Sequence, residues 1–188
     1  MLLAVLNVDY DEMAERRRRA IDYIRARNFG ILDCECIQTN SHHQCVRSLF
    51  ILCKDGFTSK HAEFYACIQY RELDTKYKKA FRYCQKHIHH LQYKPQKITA
   101  PFCIRAAFLI QEFVRMINID IILFKGGTIE QRLCDDAGVP SVNIEILGVP
   151  KVNSHDPKVE VHIHYNYLLN IGCLFPLPNN NNEEVQDN

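Results

Sequence analysis

Residues 29–37 read FGILDCECI, a short apolar run that carries two acidic residues, at positions 33 and 35. Side chains alternate between the two faces of a β-strand, so Asp33 and Glu35 are expected on the same face. Two carboxylates held this close repel each other unless a cation or a proton lies between them. The pair therefore predicts a divalent metal site for phosphoryl chemistry, because carboxylate oxygens suit Mg²⁺ or Mn²⁺. The alternative is an edge strand whose acidic face lies in water.

Two cysteines, Cys34 and Cys36, flank these carboxylates. Strand alternation predicts that both thiols face away from the carboxylates and into the core. Because one residue separates them, their spacing indicates neither a redox pair nor a standard zinc knuckle.

Length and composition predict one domain. The chain has 188 residues, of which 47% are hydrophobic, and a chain of this size can bury one core with little room for a second. We expect a single domain over residues 1–175. Residues 176–188 contain four consecutive asparagines and three acidic residues, and this tail is predicted to be disordered.

Charge and cysteine content limit the partners and the compartment. The formal net charge is +1, so a nucleic-acid-binding surface must come from local patches. Arg16–Arg19 are four consecutive arginines, interpreted either as a solvated helix face or as a phosphate-contacting patch. Nine cysteines and no signal-peptide pattern favour reduced thiols inside the cell, in the cytoplasm or the nucleus. No apolar run is long enough for a membrane span, so no membrane partner is expected.

The remaining segments alternate between helical and extended patterns. Residues 101–117 carry a broad apolar stripe, residues 118–124 form a nearly continuous apolar run, and Asp55-Gly56 marks a hairpin turn. The predicted elements are helix 9–27, strands 29–37, 45–53 and 62–70, helices 73–91 and 101–117, strand 118–124, a helix that reaches Cys134, and strand 142–147. This order predicts a mixed α/β fold.

Three parts of the sequence resemble a known superfamily. Residues 32–35, with their Asp-x-Glu pattern, resemble the first motif of the DEDD-type 3′-5′ exonucleases, in which this strand binds both metals. Residues 87–93, and residues 122–127 together with 143–151, are similar to exonuclease-like proteins of arthropods and of insect mobile elements or viruses. The resemblance implies an RNase-H-like mixed sheet flanked by helices, a two-metal Mg or Mn site, and RNA or single-stranded DNA as the partner.

The other motifs of that superfamily are matched less well. A second motif should place an Asp at the start of a helix, whereas here the turn is Lys125–Gly127 and the nearest carboxylate is Glu130. A third motif should bring a general-base His followed, five positions later, by an Asp. His155 and Glu160 have that spacing, but Pro157 lies between them and is unfavourable inside a helix.

The resemblance implies a role for each candidate residue. Asp33 would bind both ions, Glu35 the ion that activates water, and Glu130 would complete the ligand set. His155 would take the proton of the attacking water. With these incomplete motifs, the chain is predicted to be a slow metal-dependent 3′-5′ exonuclease or a catalytically inactive descendant.

Zinc is a second metal hypothesis. Imidazole and thiolate suit Zn²⁺, so His155, His162, His164 and Cys173 form a candidate ligand set, with Cys134 as a further ligand. These spacings match no standard zinc finger, and His162 and His164 are placed on an extended segment.

Two alternative functions stay open at the level of the sequence. One is an inactive RNase-H-like module that binds RNA or protein, with zinc as a stabiliser. The other is an α/β protein of unrelated chemistry, in which Asp33 and Glu35 are surface residues. The distinguishing feature of the active site is whether a third and a fourth carboxylate converge on Asp33.

Overall fold

The computed structural model describes residues 2–38, 44–64, 75–87 and 102–174. It is built from helices and strands that alternate along the chain. In order they are α1 (Leu2–Arg25), β1 (Phe29–Gln38), β2 (Gln44–Cys53), β3 (Ser59–Glu63), α2 (Thr75–His87), α3 (Phe102–Met116), β4 (Ile121–Phe124), α4 (Thr128–Ala137), β5 (Ser141–Asn143), a 3₁₀ helix (Ile144–Leu147) and α5 (Pro157–Asn170).

The strands form one five-stranded mixed sheet in the order β3-β2-β1-β4-β5. Strand β1 is antiparallel to β2 and parallel to β4, and β4 is parallel to β5. Strand β4 pairs with Phe29–Ile31, at the start of β1, and Asp33 and Glu35 follow this pairing. The predicted α/β class, a mixed sheet flanked by helices, is confirmed.

The sheet buries a core on each face, as strand alternation requires. Leu32 and Cys34 belong to a cluster formed with α3 and α4. Phe29 and Ile31 belong to a second cluster, formed with α1, the 3₁₀ helix and α5. Asp33, in register with Phe50 of β2, is therefore on the α5 side of the sheet.

The arginine run of α1 is engaged within the protein. Arg16 pairs with Glu12, and Arg18 and Arg19 both pair with Glu15, one turn earlier on the same helix. The Nε of Arg17 donates to the carbonyl of Leu147 in the 3₁₀ helix, 3.2 Å away. These contacts support the solvated-face interpretation of the run.

The third predicted strand begins earlier in the structure. The third strand, predicted at 62–70, is β3 at Ser59–Glu63, and residues 65–70 lie outside the described residues. The turn is tight because the Asp55 carboxylate accepts hydrogen bonds from the backbone N–H groups of Phe57 and Thr58, so the strand begins earlier.

The predicted strand 142–147 is wrong after Asn143. Here the side chain of Asn143 accepts a hydrogen bond from the backbone N–H of Glu145, which begins the 3₁₀ helix Ile144–Leu147. Gly148, with φ 76°, ends it in the left-handed conformation that glycine adopts without a steric penalty. Ile144 and Leu147, three positions apart, are both buried by this turn.

The segment with His162 and His164 is helical, so its predicted extended conformation is wrong. Asp156 caps α5 by accepting a hydrogen bond from Lys158 N–H, 2.9 Å away, and Pro157 occupies the first turn. Proline is favourable there because its missing N–H would have no partner within the helix. Pro157 therefore begins the helix instead of interrupting it.

Two other predicted regions fall outside the described residues. These are the tail 176–188 and most of the stretch 87–93, of which only His87 is described. Among the helices that the structure describes, none combines the length and the hydropathy that crossing a membrane requires.

Candidate active site

The first two acidic side chains come from β1. Asp33 is 8% exposed, and its Oδ2 is buried with no hydrogen-bond partner among the described residues. Glu35 is half-buried on the same face, two residues further along the strand. Neither carboxylate lies on an acidic edge exposed to water, so this alternative for the pair is not supported.

The third acidic side chain, Glu130, comes from the first turn of α4. Gly126 has a φ of 86°, and Gly127 lies so close to Glu130 that a Cβ there would collide with Oε2. Glu130 is 5% exposed. The thiol of Cys34 donates to its Oε1 from 3.1 Å, whereas its Oε2 is buried without a partner in the described part of the chain.

The first turn of α5 supplies the fourth acidic side chain, Glu160. His155, just before this helix, has its Nδ1 3.8 Å from Oε1 of Glu35, and its ring is largely exposed. His164 lies one turn after Glu160, with Nε2 3.8 Å from Oε1 of that carboxylate. The spacing from His155 to Glu160 therefore brings a histidine and a carboxylate to the β1 acids.

The electrostatics indicate that the four acids share one environment. Burial, followed by the nearby Glu160, Glu130 and Glu35, raises the pKa of Asp33 from 3.8 to about 9. Burial, followed by Glu160 and Glu130, raises the pKa of Glu35 to about 7. The carboxylates of Glu160, Glu130 and Glu35 are thus near enough to Asp33 to raise its pKa.

The pKa values of Glu130 and Glu160 are raised as well. Burial raises the pKa of each, and for Glu130 the Cys34 thiol partly opposes the rise. For Glu160 the main opposing group is Lys125, whose Nζ also donates to the carbonyl of Pro150. In the absence of a cation, each of these acids therefore keeps its proton to a higher pH than an ordinary carboxyl group does.

The donor types fit a hard divalent cation. Carboxylate oxygens are the ligands that Mg²⁺ and Mn²⁺ prefer, and two of the buried oxygens, on Asp33 and Glu130, have no other partner in the described chain. Among the described residues, however, no three His, Cys, Asp or Glu side chains are already arranged around a single metal position. Binding a cation would thus require these side chains to adjust their rotamers.

No known family model matches this chain, and no curated protein is significantly similar to it.

The candidate zinc ligands do not meet. His155 is beside Glu35, and His162 stacks on Phe50 with ring centroids 5.6 Å apart. Cys173 is buried in the α5-side core, far from the α4-side core that holds Cys134. His164 is the one member of the set that is buried beside an acid of the cluster.

Sequence reasoning assigned no role to His164 beyond zinc and considered Glu160 only through its spacing from His155. A capping signal was nevertheless present, since Asp156 followed by Pro157 is a typical helix start. On a helix that begins there, Glu160 and His164 are separated by four residues and lie on the same face.

Proposed function

We propose that this domain is a metal-dependent nuclease of the DEDD exonuclease type, built on an RNase-H-like fold. The proposal rests on four acids from β1, α4 and α5 whose pKa values are all raised, Asp33, Glu35, Glu130 and Glu160, the last three of which also raise the pKa of Asp33. Two buried and two half-buried acids with raised pKa values are costly to retain unless they perform a function.

The positions of these acids support the proposal element by element. The Asp-x-Glu pair lies on the first strand, Glu130 begins the helix after β4, and His155 with Glu160 introduces the last described helix. An antiparallel β2 and a parallel β4 on either side of β1 agree with an RNase-H-like sheet. The two departures are Glu130 and Glu160, which stand where the superfamily has Asp.

Each residue has a defined task in the proposed reaction. Asp33, Glu35, Glu130 and Glu160 would hold Mg²⁺ or Mn²⁺, which polarises a phosphodiester and lowers the pKa of bound water. His155 is exposed beside Glu35, so it is accessible to take the proton of the attacking water. The substrate would be the end of an RNA or of a single DNA strand.

The proposal is tested by metal binding and cleavage together. Mn²⁺ at millimolar concentration should raise the melting temperature of the wild type, and Asp33→Asn should abolish the rise. A 3′-labelled single strand should be shortened in the presence of Mn²⁺ by the wild type and not by Asp33→Asn. The matched control is Glu145→Gln, an exposed acid of the 3₁₀ helix, which should behave as the wild type does. An unchanged wild-type melting curve with Mn²⁺ would overturn the proposal.

A second candidate is a catalytically inactive RNase-H-like module that binds RNA. The pKa of about 9 for Asp33 favours it, because protons alone can neutralise such a cluster at neutral pH. This candidate predicts that a single-stranded RNA binds without being shortened and that Mn²⁺ leaves the melting temperature unchanged.

A further inference from the structure

His164 is a buried histidine that the proposed reaction does not use. It is 1% exposed, and neither ring nitrogen has a hydrogen-bond partner among the described residues. Leaving a buried polar group unpaired costs on the order of 1–3 kcal/mol, so such a group requires an explanation. An acidic neighbour is Glu160, with Nε2 of His164 and Oε1 of Glu160 3.8 Å apart.

The surroundings keep this imidazole neutral. Burial, followed by the positive charge of Lys125, lowers the pKa of His164 from 6.5 to about 4. In its neutral form the ring offers one N–H donor, and its Nε2 lies 3.8 Å from Oε1 of Glu160. A neutral donor can orient a carboxylate without repelling a cation bound to it, whereas a protonated histidine or a lysine would oppose that cation.

We infer that His164 is a positioning residue for Glu160: its Nε2–H donates to Oε1 and fixes the carboxylate when Glu160 binds a divalent cation. The inference rests on the proposed function, since it assigns Glu160 to the metal site. The observed 3.8 Å is longer than a hydrogen bond, which spans about 2.7–3.2 Å, so the pair closes when the carboxylate adjusts to the ion. Outer hydrogen bonds of this kind orient metal ligands, and losing one costs about 10–100-fold in metal affinity.

The chain provides a matched control on the same helix. His162 is two residues earlier and turns to a different side of α5, where its ring stacks on Phe50. Its Nδ1 lies 2.6 Å from the carbonyl of Lys158, so it is engaged locally. A substitution of His162 removes an imidazole from α5 without removing the neighbour of Glu160.

The test compares Mn²⁺ affinity and metal-free stability in the full chain. His164→Leu should raise the dissociation constant for Mn²⁺ about tenfold or more, measured by calorimetry near neutral pH. Its metal-free melting temperature should equal or exceed that of the wild type, because an unpaired buried polar group has been replaced by an apolar one. His164→Gln retains an N–H donor and should recover most of the affinity, and His162→Leu should bind Mn²⁺ as the wild type does.

The outcomes separate this inference from the proposed function. If the wild type binds no Mn²⁺, both fail. If the wild type binds Mn²⁺ and His164→Leu binds it equally well, the inference alone is overturned. It is also overturned if His164→Gln binds as weakly as His164→Leu, because a lost donor would then not explain the effect. Should His164→Leu fail to fold, the comparison of His164→Gln with His164→Ala takes its place.

Discussion

The Cys34 thiol donates to Glu130, with Sγ and Oε1 3.1 Å apart. These residues come from the middle of β1 and the first turn of α4, and both lie in or next to the α4-side core. Asp33 and Glu35 lie on the other face of β1, toward α5. The acidic cluster is therefore assembled around β1, and Cys34 connects its α4 member to the strand.

Removing this thiol should change both stability and metal binding. Cys34→Ala is expected to destabilise the protein by about 1–2 kcal/mol, through a lost hydrogen bond and lost packing, and to weaken Mn²⁺ binding severalfold. Cys34→Ser keeps a donor and should bind Mn²⁺ more tightly than Cys34→Ala does. Urea unfolding and calorimetry measure the two effects. Cys173→Ala, in the α5-side core, should lower stability without changing Mn²⁺ affinity. If it weakens Mn²⁺ binding as much as Cys34→Ala does, the role assigned to the Cys34 thiol is contradicted.

The metal-free protein should lose stability as the pH rises from about 6.5 to about 8. The raised pKa values of Asp33, about 9, and of Glu35, about 7, mean that the folded state binds protons that the unfolded chain has released. Stability from such groups is present below the unfolded pKa and is lost as the pH rises through the folded value. The slope is at most about 1.4 kcal/mol per pH unit for each carboxyl.

His164 sets the lower end of this pH window. Its pKa is about 4 in the folded protein, against 6.5 for an ordinary histidine. The contribution of His164 to stability therefore rises with pH between these values, whereas the contribution of Asp33 and Glu35 falls. Above that range only the acids contribute to the slope. Thermal melts in the presence of a chelator should show the decline, and Asp33→Asn should flatten it. If the melting temperature of Asp33→Asn declines with pH as steeply as that of the wild type, Asp33 is not the source of the decline.

The identity of the ion should matter for cleavage. In the proposed nuclease site Glu130 would take the place of the shorter Asp of DEDD-type exonucleases, and a misplaced ligand that costs a few kcal/mol of transition-state stabilisation slows the reaction about a thousandfold. We expect slow or undetectable shortening of a 3′-labelled single strand with Mg²⁺ and measurable shortening with Mn²⁺. Processive digestion with Mg²⁺ that Glu130→Gln leaves unchanged would mean that other residues form the ligand set.

Lys54 should contribute to stability by capping α1. Its Nζ donates to the carbonyls of Arg25 and Arg27, at 2.7 and 2.9 Å, where the helix ends and leaves carbonyls without partners. Lys54→Met should lower the free energy of unfolding by about 1–2 kcal/mol, measured in urea. The exposed Lys60 of β3 provides the control, and Lys60→Met should have an effect within about 0.5 kcal/mol. Equal effects of the two substitutions would contradict the capping role.

Local sequence features determined most of the elements and the part of the candidate site that lies on β1 and α4. Alternation along residues 29–37 placed Asp33 and Glu35 on one face of a strand, and the apolar run before Phe124 predicted a buried strand. The glycines before Thr128 indicated a turn into a helix whose first turn carries Glu130. These predictions succeeded because strand alternation and turn chemistry depend on residues only a few positions apart.

Only the tertiary structure decided which distant side chains meet. The separation between Asp33 and Glu160 is set by how α5 packs on β1 and β2, and no local pattern encodes that packing. The same packing places His164 against Glu160 and leaves His162 on Phe50, although both histidines appeared equivalent as zinc ligands. The physical reason is that burial and long-range packing set the neighbours and the pKa values of these groups, whereas the sequence alone specifies only their local spacing.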